Sequence, residues 1–312
     1  MTGSIFDAVQ DAIDHARREL FPFRAGRWLA LGFLAFLDQC GRTGGGSNFP
    51  TNFNLPLPSD EDEGTQELMA QSPGVDQALE WIASHVGLVV AIALGSLMLV
   101  VSLTALLLWL NSRGIFMYLD AVTTGRVEIG RAWREHAERA RSLFAWRFVL
   151  AMVGFAGVLI VLAVAAVVAL QWHRGSLDGG MALAIGLLGL LPILLVFGLG
   201  LTLLQVLLRD FVAPLQWLHG WTCSEAVRVA MGLVRSEMGA MALYVVLKIV
   251  FVVALTFASM LAGCLTCCLG FLPVLSQTLV QPLLFFERAF SLCVLRRLGH
   301  DVFAATPRPL LP

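Results

Sequence analysis

Charge is scarce in this sequence and lysine scarcer still: Asp, Glu, Lys and Arg make up 14% of the 312 residues, and Lys248 is the only lysine. An ordinary soluble domain carries about 25% charged and about 45–50% apolar residues. With 58% hydrophobic residues and a mean hydropathy of +0.79, the chain holds more apolar side chain than a water-soluble core takes in. A net charge of −1 offers no basic excess for nucleic acid. The preference for arginine over lysine is consistent with a GC-rich bacterial genome.

Catalytic and cofactor signatures are missing as well. GRTGGGSNFP is Gly-rich but lacks the GK[ST] ending of a phosphate loop, and it reads as a flexible linker. The six histidines, His15, His85, His136, His173, His219 and His300, form no HExxH or paired-ligand spacing, and no GxSxG element occurs. Neither a cofactor nor a metal is expected. Cys264, Cys267 and Cys268 in CLTCC form the one thiol cluster, which Cys40 could join. CxxC can bind metal or exchange disulfides because its thiolates project from one turn, but zinc needs a second ligand pair. Packing of small residues at a tight hairpin, a structural disulfide, and metal or redox chemistry stay open, with packing preferred.

What the sequence does have is long uncharged runs. Crossing a hydrocarbon core of about 30 Å takes about 20 residues. Residues 86–110, 148–172 and 179–208 qualify, and the run at 249–286 splits near Gly270 and Pro273 into helices at 239–263 and 271–294. Arginine favours cytoplasmic loops. Residues 111–147 carry seven arginines, whereas residues 41–85 carry Arg42 against seven acids, so the first segment is expected inside and the second outside. The amino terminus, with Arg17, Arg18, Arg24 and Arg27, is expected inside too, which requires a crossing within residues 20–40. That segment, RWLALGFLAFLDQC, is short for a span unless Arg24 and Arg27 snorkel.

The expectation is an all-α, polytopic transmembrane helical bundle of about six spans with amphipathic interfacial helices and both termini cytoplasmic. It forms a single integral membrane domain over 1–312, comprising an amphipathic helix at 1–20, an extracytoplasmic Gly/Pro-rich linker at 41–75 and a helical membrane core at 76–304. The first twenty residues carry acids where a signal peptide needs an apolar stretch, and Ile5, Phe6, Val9, Ile13 and Leu20 recur at helical spacing. Trp28, Trp81, Trp109, Trp146 and Trp172 fall near span ends, as an interfacial belt requires. Two cytoplasmic connections look alike, each starting with an arginine (Arg113, Arg209) and reaching a glycine (Gly125, Gly220) about a dozen residues later.

The FPF and RWLALGFLAFL start, the Gly-rich GRTGGGSNFPTNFNLPLP after it and the two R…G connections resemble a group of uncharacterised bacterial six-span membrane proteins. That group is distantly similar to the membrane domain attached to some glycerophosphodiester phosphodiesterases. The resemblance covers most of the chain and implies a six-span membrane fold in a bacterial inner membrane. It implies no activity, and the 312 residues hold no phosphodiesterase catalytic domain.

Three function classes remain: a non-catalytic protein organising membrane partners or lipid, a transporter or channel subunit, and an intramembrane enzyme. The lipid bilayer is the expected partner, with a further protein partner possible at the cytoplasmic amphipathic segments. The candidate site is a buried polar cluster. Rise-counting puts Lys248 and Glu287 at nearly the same depth on adjacent spans, about 16 and 14 Å in, which leaves three readings open: a lysine snorkelling alone to the cytoplasmic face, a Lys248–Glu287 ion pair with Arg288, Gln277 and Gln281 as further polar neighbours, and a transport or catalytic lysine.

Overall fold

A computed structural model describes residues 2–21, 23–40, 81, 84–173, 175, 178–265 and 273–304. The linker expected at 41–75, together with Cys267 and Cys268, lies outside them. The described elements are helices: α1 (Thr2–Leu20), α2 (Ala25–Gln39), α3 (Val86–Thr124), α4 (Ile129–Glu135), α5 (Ala137–His173) and α6 (Gly179–Ala184). They continue with α7 (Leu191–Leu207), α8 (Ala213–His219), α9 (Cys223–Ser236), α10 (Met238–Leu265), α11 (Pro273–Leu279) and α12 (Gln281–Arg297). Wide π turns at Ile185–Leu190 and Leu208–Val212 precede α7 and α8. Pro192 and Pro214, which lack an N–H for the helical ladder, lie in the first turns that follow them.

Among the described residues four helices are long and apolar enough to cross a membrane: Val86–Thr124, Ala137–Trp172, Leu188–His219 and Met238–Cys264. This corrects the expected six. The expected first span is α2, whose 15 residues extend about 22 Å, short of a hydrocarbon core of about 30 Å. The expected sixth, 271–294, is broken at Val280 into α11 and α12. Pro282 sits in the first turn of α12, and Glu287 and Arg288 interrupt its apolar face.

The chain divides into two units, Asn48–Leu107 and a larger one of Met1–Ser47 with Leu108–Pro312. In the smaller, His85 stacks on Trp81 with ring centroids 4.9 Å apart, and the start of α3 exposes Ile92, Met98, Leu99 and Leu106. In the larger unit, α5, α7 and α10 expose apolar side chains such as Ile160, Val196 and Phe257. The remainder of α3, from Leu108 to Thr123, is largely buried.

Two similar hairpins organise the larger unit. Each has a helix ending at a glycine with left-handed φ, Gly125 (70°) or Gly220 (71°), where a side chain would be strained. A shorter helix follows, α4 or α9, and then a long one, α5 or α10. Glu225 starts α9 by accepting both the Thr222 N–H and its hydroxyl at 2.9 Å.

Helices α1, α2, α11 and α12 pack around these hairpins. Helix α1 buries Ile5, Ala8, Ala12, Ala16 and Leu20 while leaving Phe6 and Ile13 exposed, so three alanines with Ile5 and Leu20 at either end form the buried face of a helix that packs on α12. Asp11 ties the two helices together, accepting from Arg296 at 2.6 Å and Arg297 at 2.8 Å. Helix α2 crosses α3 where Gly114 leaves room for it. A Cβ on Gly114 would lie 2.5 Å from the Leu37 carbonyl carbon.

Candidate functional site

The charged residues within the apolar runs converge. Helix α2 ends by burying Asp38, the second π turn buries Arg209 and Asp210, α10 contributes Tyr244 and Lys248 one turn apart, and α12 contributes Glu287 and Arg288. The π turn opens an unbroken buried stretch, residues 208–216, in which neighbouring residues of opposite charge both face the interior.

Arg209 is the hub. Its Nε lies 3.2 Å from both Asp38 carboxylate oxygens and its Nη2 also donates to Asp38. Its Nη1 donates to Glu287 Oε1 at 2.9 Å and lies 3.4 Å from Asp210 Oδ1. Lys248 donates to Asp210 Oδ2, which also accepts the Tyr244 hydroxyl at 2.7 Å. The Lys248 Nζ is 3.2 Å from Glu287 Oε1. Arg288, with no exposed surface, donates to the Arg209 carbonyl at 2.8 Å and stands 3.7 Å from Asp210 Oδ1. These ion pairs link three carboxylates with three cations, a formally neutral set. Burial in a low-dielectric interior is tolerable only with such mutual compensation.

The network extends towards the first hairpin. Asn111 donates to the Leu37 and Asp38 carbonyls at 2.8 and 2.6 Å, and Arg147 of α5 donates to the Asn111 side-chain oxygen. Asp38 therefore meets the first hairpin through its backbone and the second through its carboxylate.

Of the residues expected from sequence, Lys248, Glu287 and Arg288 lie in the network. Gln281 donates instead to the Tyr118 hydroxyl at 3.1 Å, and Gln277 is buried on α11. Sequence reasoning missed Asp38, Asn111, Arg147, Arg209, Asp210 and Tyr244. The available signal was a charge set among apolar residues, as in FLAFLDQC and LLQVLLRDFVAPL. In the thiol cluster, Cys264 is free and exposed, while Cys40 is free and buried. Among the described residues no group of three or more His, Cys, Asp or Glu side chains is arranged to hold a metal. Chemically, the network can fix helices in register, and it could relay protons only where water reaches it.

A family model described as "Family of unknown function (DUF7544)" matches residues 4–303 of the chain. No curated protein and no solved structure matches it. Nothing in the family match connects the chain with glycerophosphodiester phosphodiesterases.

Proposed function

Because the chain belongs to the DUF7544 family of unknown function, we propose that it is a multi-pass protein of a bacterial inner membrane that organises partners or lipid rather than catalysing a reaction. One observation carries this reading: membrane-length helices with almost wholly exposed apolar windows lead into a buried network whose charges are paired with one another. Helices apolar on every side belong in lipid. A set of mutual ion pairs suits holding those helices in a fixed arrangement. An enzyme needs a base or nucleophile directed at a substrate, and these carboxylates are directed at cations. The arginine asymmetry supports residues 111–147 on the cytoplasmic side and residues 41–85 on the opposite one.

Orientation is tested by single cysteines at Ser59 and Glu128 in a cysteine-free background, probed with an impermeant maleimide on intact spheroplasts. Labelling of Ser59→Cys alone is expected, and equal labelling of both refutes the topology. A transporter is the second reading, because Arg209, Asp210 and Lys248 lie on membrane-length helices and such charges often mark ion pathways. Reconstituted protein should pass no protons or small cations under an imposed potential. Flux abolished by Lys248→Met would replace the organising role with transport.

A further inference from the structure

Near the end of its exposed apolar stretch, α3 carries Trp109, itself 38% exposed, with Arg113 one turn further on. The Arg113 guanidinium carbon lies 5.0 Å from the Trp109 ring centroid and 4.6 Å from that of Trp133 on α4. The two indoles meet edge-on at 5.7 Å. Arg113 Nη1 donates to the Trp133 carbonyl at 2.8 Å, so the plane of the guanidinium is fixed on three sides. Among the described residues no carboxylate pairs with Arg113. The charge that acts on it is another cation, the exposed Arg141 of α5, which repels it. Further along α5, Trp146 is 41% exposed, and the exposed apolar residues Val149 and Val153 follow.

Arg113, clamped between two indoles at the margin of apolar surface and repelled by a second cation, has no carboxylate counter-ion among the described residues. We propose that Trp109, Arg113, Trp133 and Arg141 form a binding site for the phosphodiester headgroup of an anionic membrane lipid. Guanidinium groups match phosphate oxygens in planar, bidentate geometry, and stacking on indole leaves the guanidinium edge available for them. Tryptophan at headgroup depth is the usual companion of such a site. Free phosphate shares the anion chemistry, but exposed apolar residues next to Trp146 offer a place for acyl chains that phosphate lacks. The inference rests on the reading that the chain lies in a bilayer, and it names the lipid that the protein would gather.

The test uses the full chain purified in detergent and exposed to equimolar phosphatidylglycerol and phosphatidylcholine, with retained lipid counted by native mass spectrometry. Preferential retention of phosphatidylglycerol is expected. Arg113→Gln with Arg141→Gln should weaken it roughly 30-fold, from the usual contribution of two basic residues near an anionic surface. Arg134→Gln, an exposed cation outside the sandwich, should leave retention unchanged. If the double variant does not fold, the exposed Arg141→Gln alone carries the test, with a smaller loss expected. Equal retention of both lipids, or the same loss in Arg134→Gln, overturns the site. So does displacement of the lipid by millimolar inorganic phosphate, which would assign the site to free anion. Release of the chain from native membranes by alkaline carbonate would instead overturn the membrane reading itself.

Discussion

Removing the Lys248 ammonium should unbalance a neutral network, and restoring the balance should recover much of the loss. The six linked groups carry three negative and three positive charges. Lys248→Met leaves one carboxylate in excess, Asp210→Asn leaves one cation in excess, and the double variant is neutral again. Opposite charges at about 4 Å attract by about 4 kcal/mol at an effective dielectric of 20, and breaking one partner of a buried pair costs about 3–5 kcal/mol. Each single variant should therefore lose about 3 kcal/mol, with a coupling of about 2–3 kcal/mol between them, at the upper end for directly interacting residues. The parallel cycle of Lys248→Met with Glu287→Gln should couple less, because Lys248 donates its hydrogen bond to Asp210 and stands 3.2 Å from Glu287. Unfolding in mixed detergent micelles, followed by tryptophan fluorescence, measures all of these. Additivity within about 0.5 kcal/mol in the Asp210 cycle, or stronger coupling in the Glu287 cycle, refutes the reasoning.

Three other outcomes are expected. Gly114→Ala should destabilise the protein by about 1–3 kcal/mol through overpacking against Leu37, while Gly130→Ala, which meets no atom within 4 Å, should be neutral; equal thermal shifts for the two would contradict the helix crossing. Arg297 and Arg296 hold the Asp11 carboxyl below its usual value of 3.8, so its contribution is present above pH 3.8 and is lost as pH falls through the lowered value. Hydrogen exchange in α1 should accelerate over that acid range and lose the dependence in Asp11→Asn; an unchanged profile in the variant removes the attachment. Burial pushes the Cys223 thiol up to about 12, so maleimide at neutral pH should modify exposed Cys264 in the native protein and Cys223 only after unfolding.

The sequence was most legible where charge is absent. Runs at 86–110, 148–172 and 239–263 sit inside the observed α3, α5 and α10 because an uncharged stretch of that length has few alternatives to a helix. Gly125 and Gly220 were legible as corresponding positions, and both adopt the left-handed conformation that ends a helix. Apolar counting already marked residues 20–40 as short for a span, but it could not see that Val280 breaks the expected sixth. For the site, rise-counting compared two helices presumed adjacent, Lys248 on one and Glu287 on the other. It had no means of finding that a π turn from a third helix presents Asp210 to the same ammonium, because local sequence does not record which distant segment packs alongside.

The two hairpins repeat more than a turn. Arg147 lies ten residues after the start of α5 at Ala137, and Lys248 ten residues after the start of α10 at Met238. Each bonds a polar residue on its hairpin's preceding long segment, Asn111 in one case and Asp210 in the other. The hairpins differ in the charge of that partner. Asn111 accepts from Arg147 as a neutral amide, whereas the second hairpin buries Arg209 and Lys248 with the carboxylate of Asp210 between them. Its surplus positive charge is met from outside the repeat, by Asp38 of α2 and Glu287 of α12, both of which address Arg209. This accounts for the short second helix. It runs alongside α11 and crosses α3 where Leu37 and Asp38 meet Asn111, and it stops there with its carboxylate on Arg209. A helix long enough to cross the membrane would run past the group that its last turn neutralises.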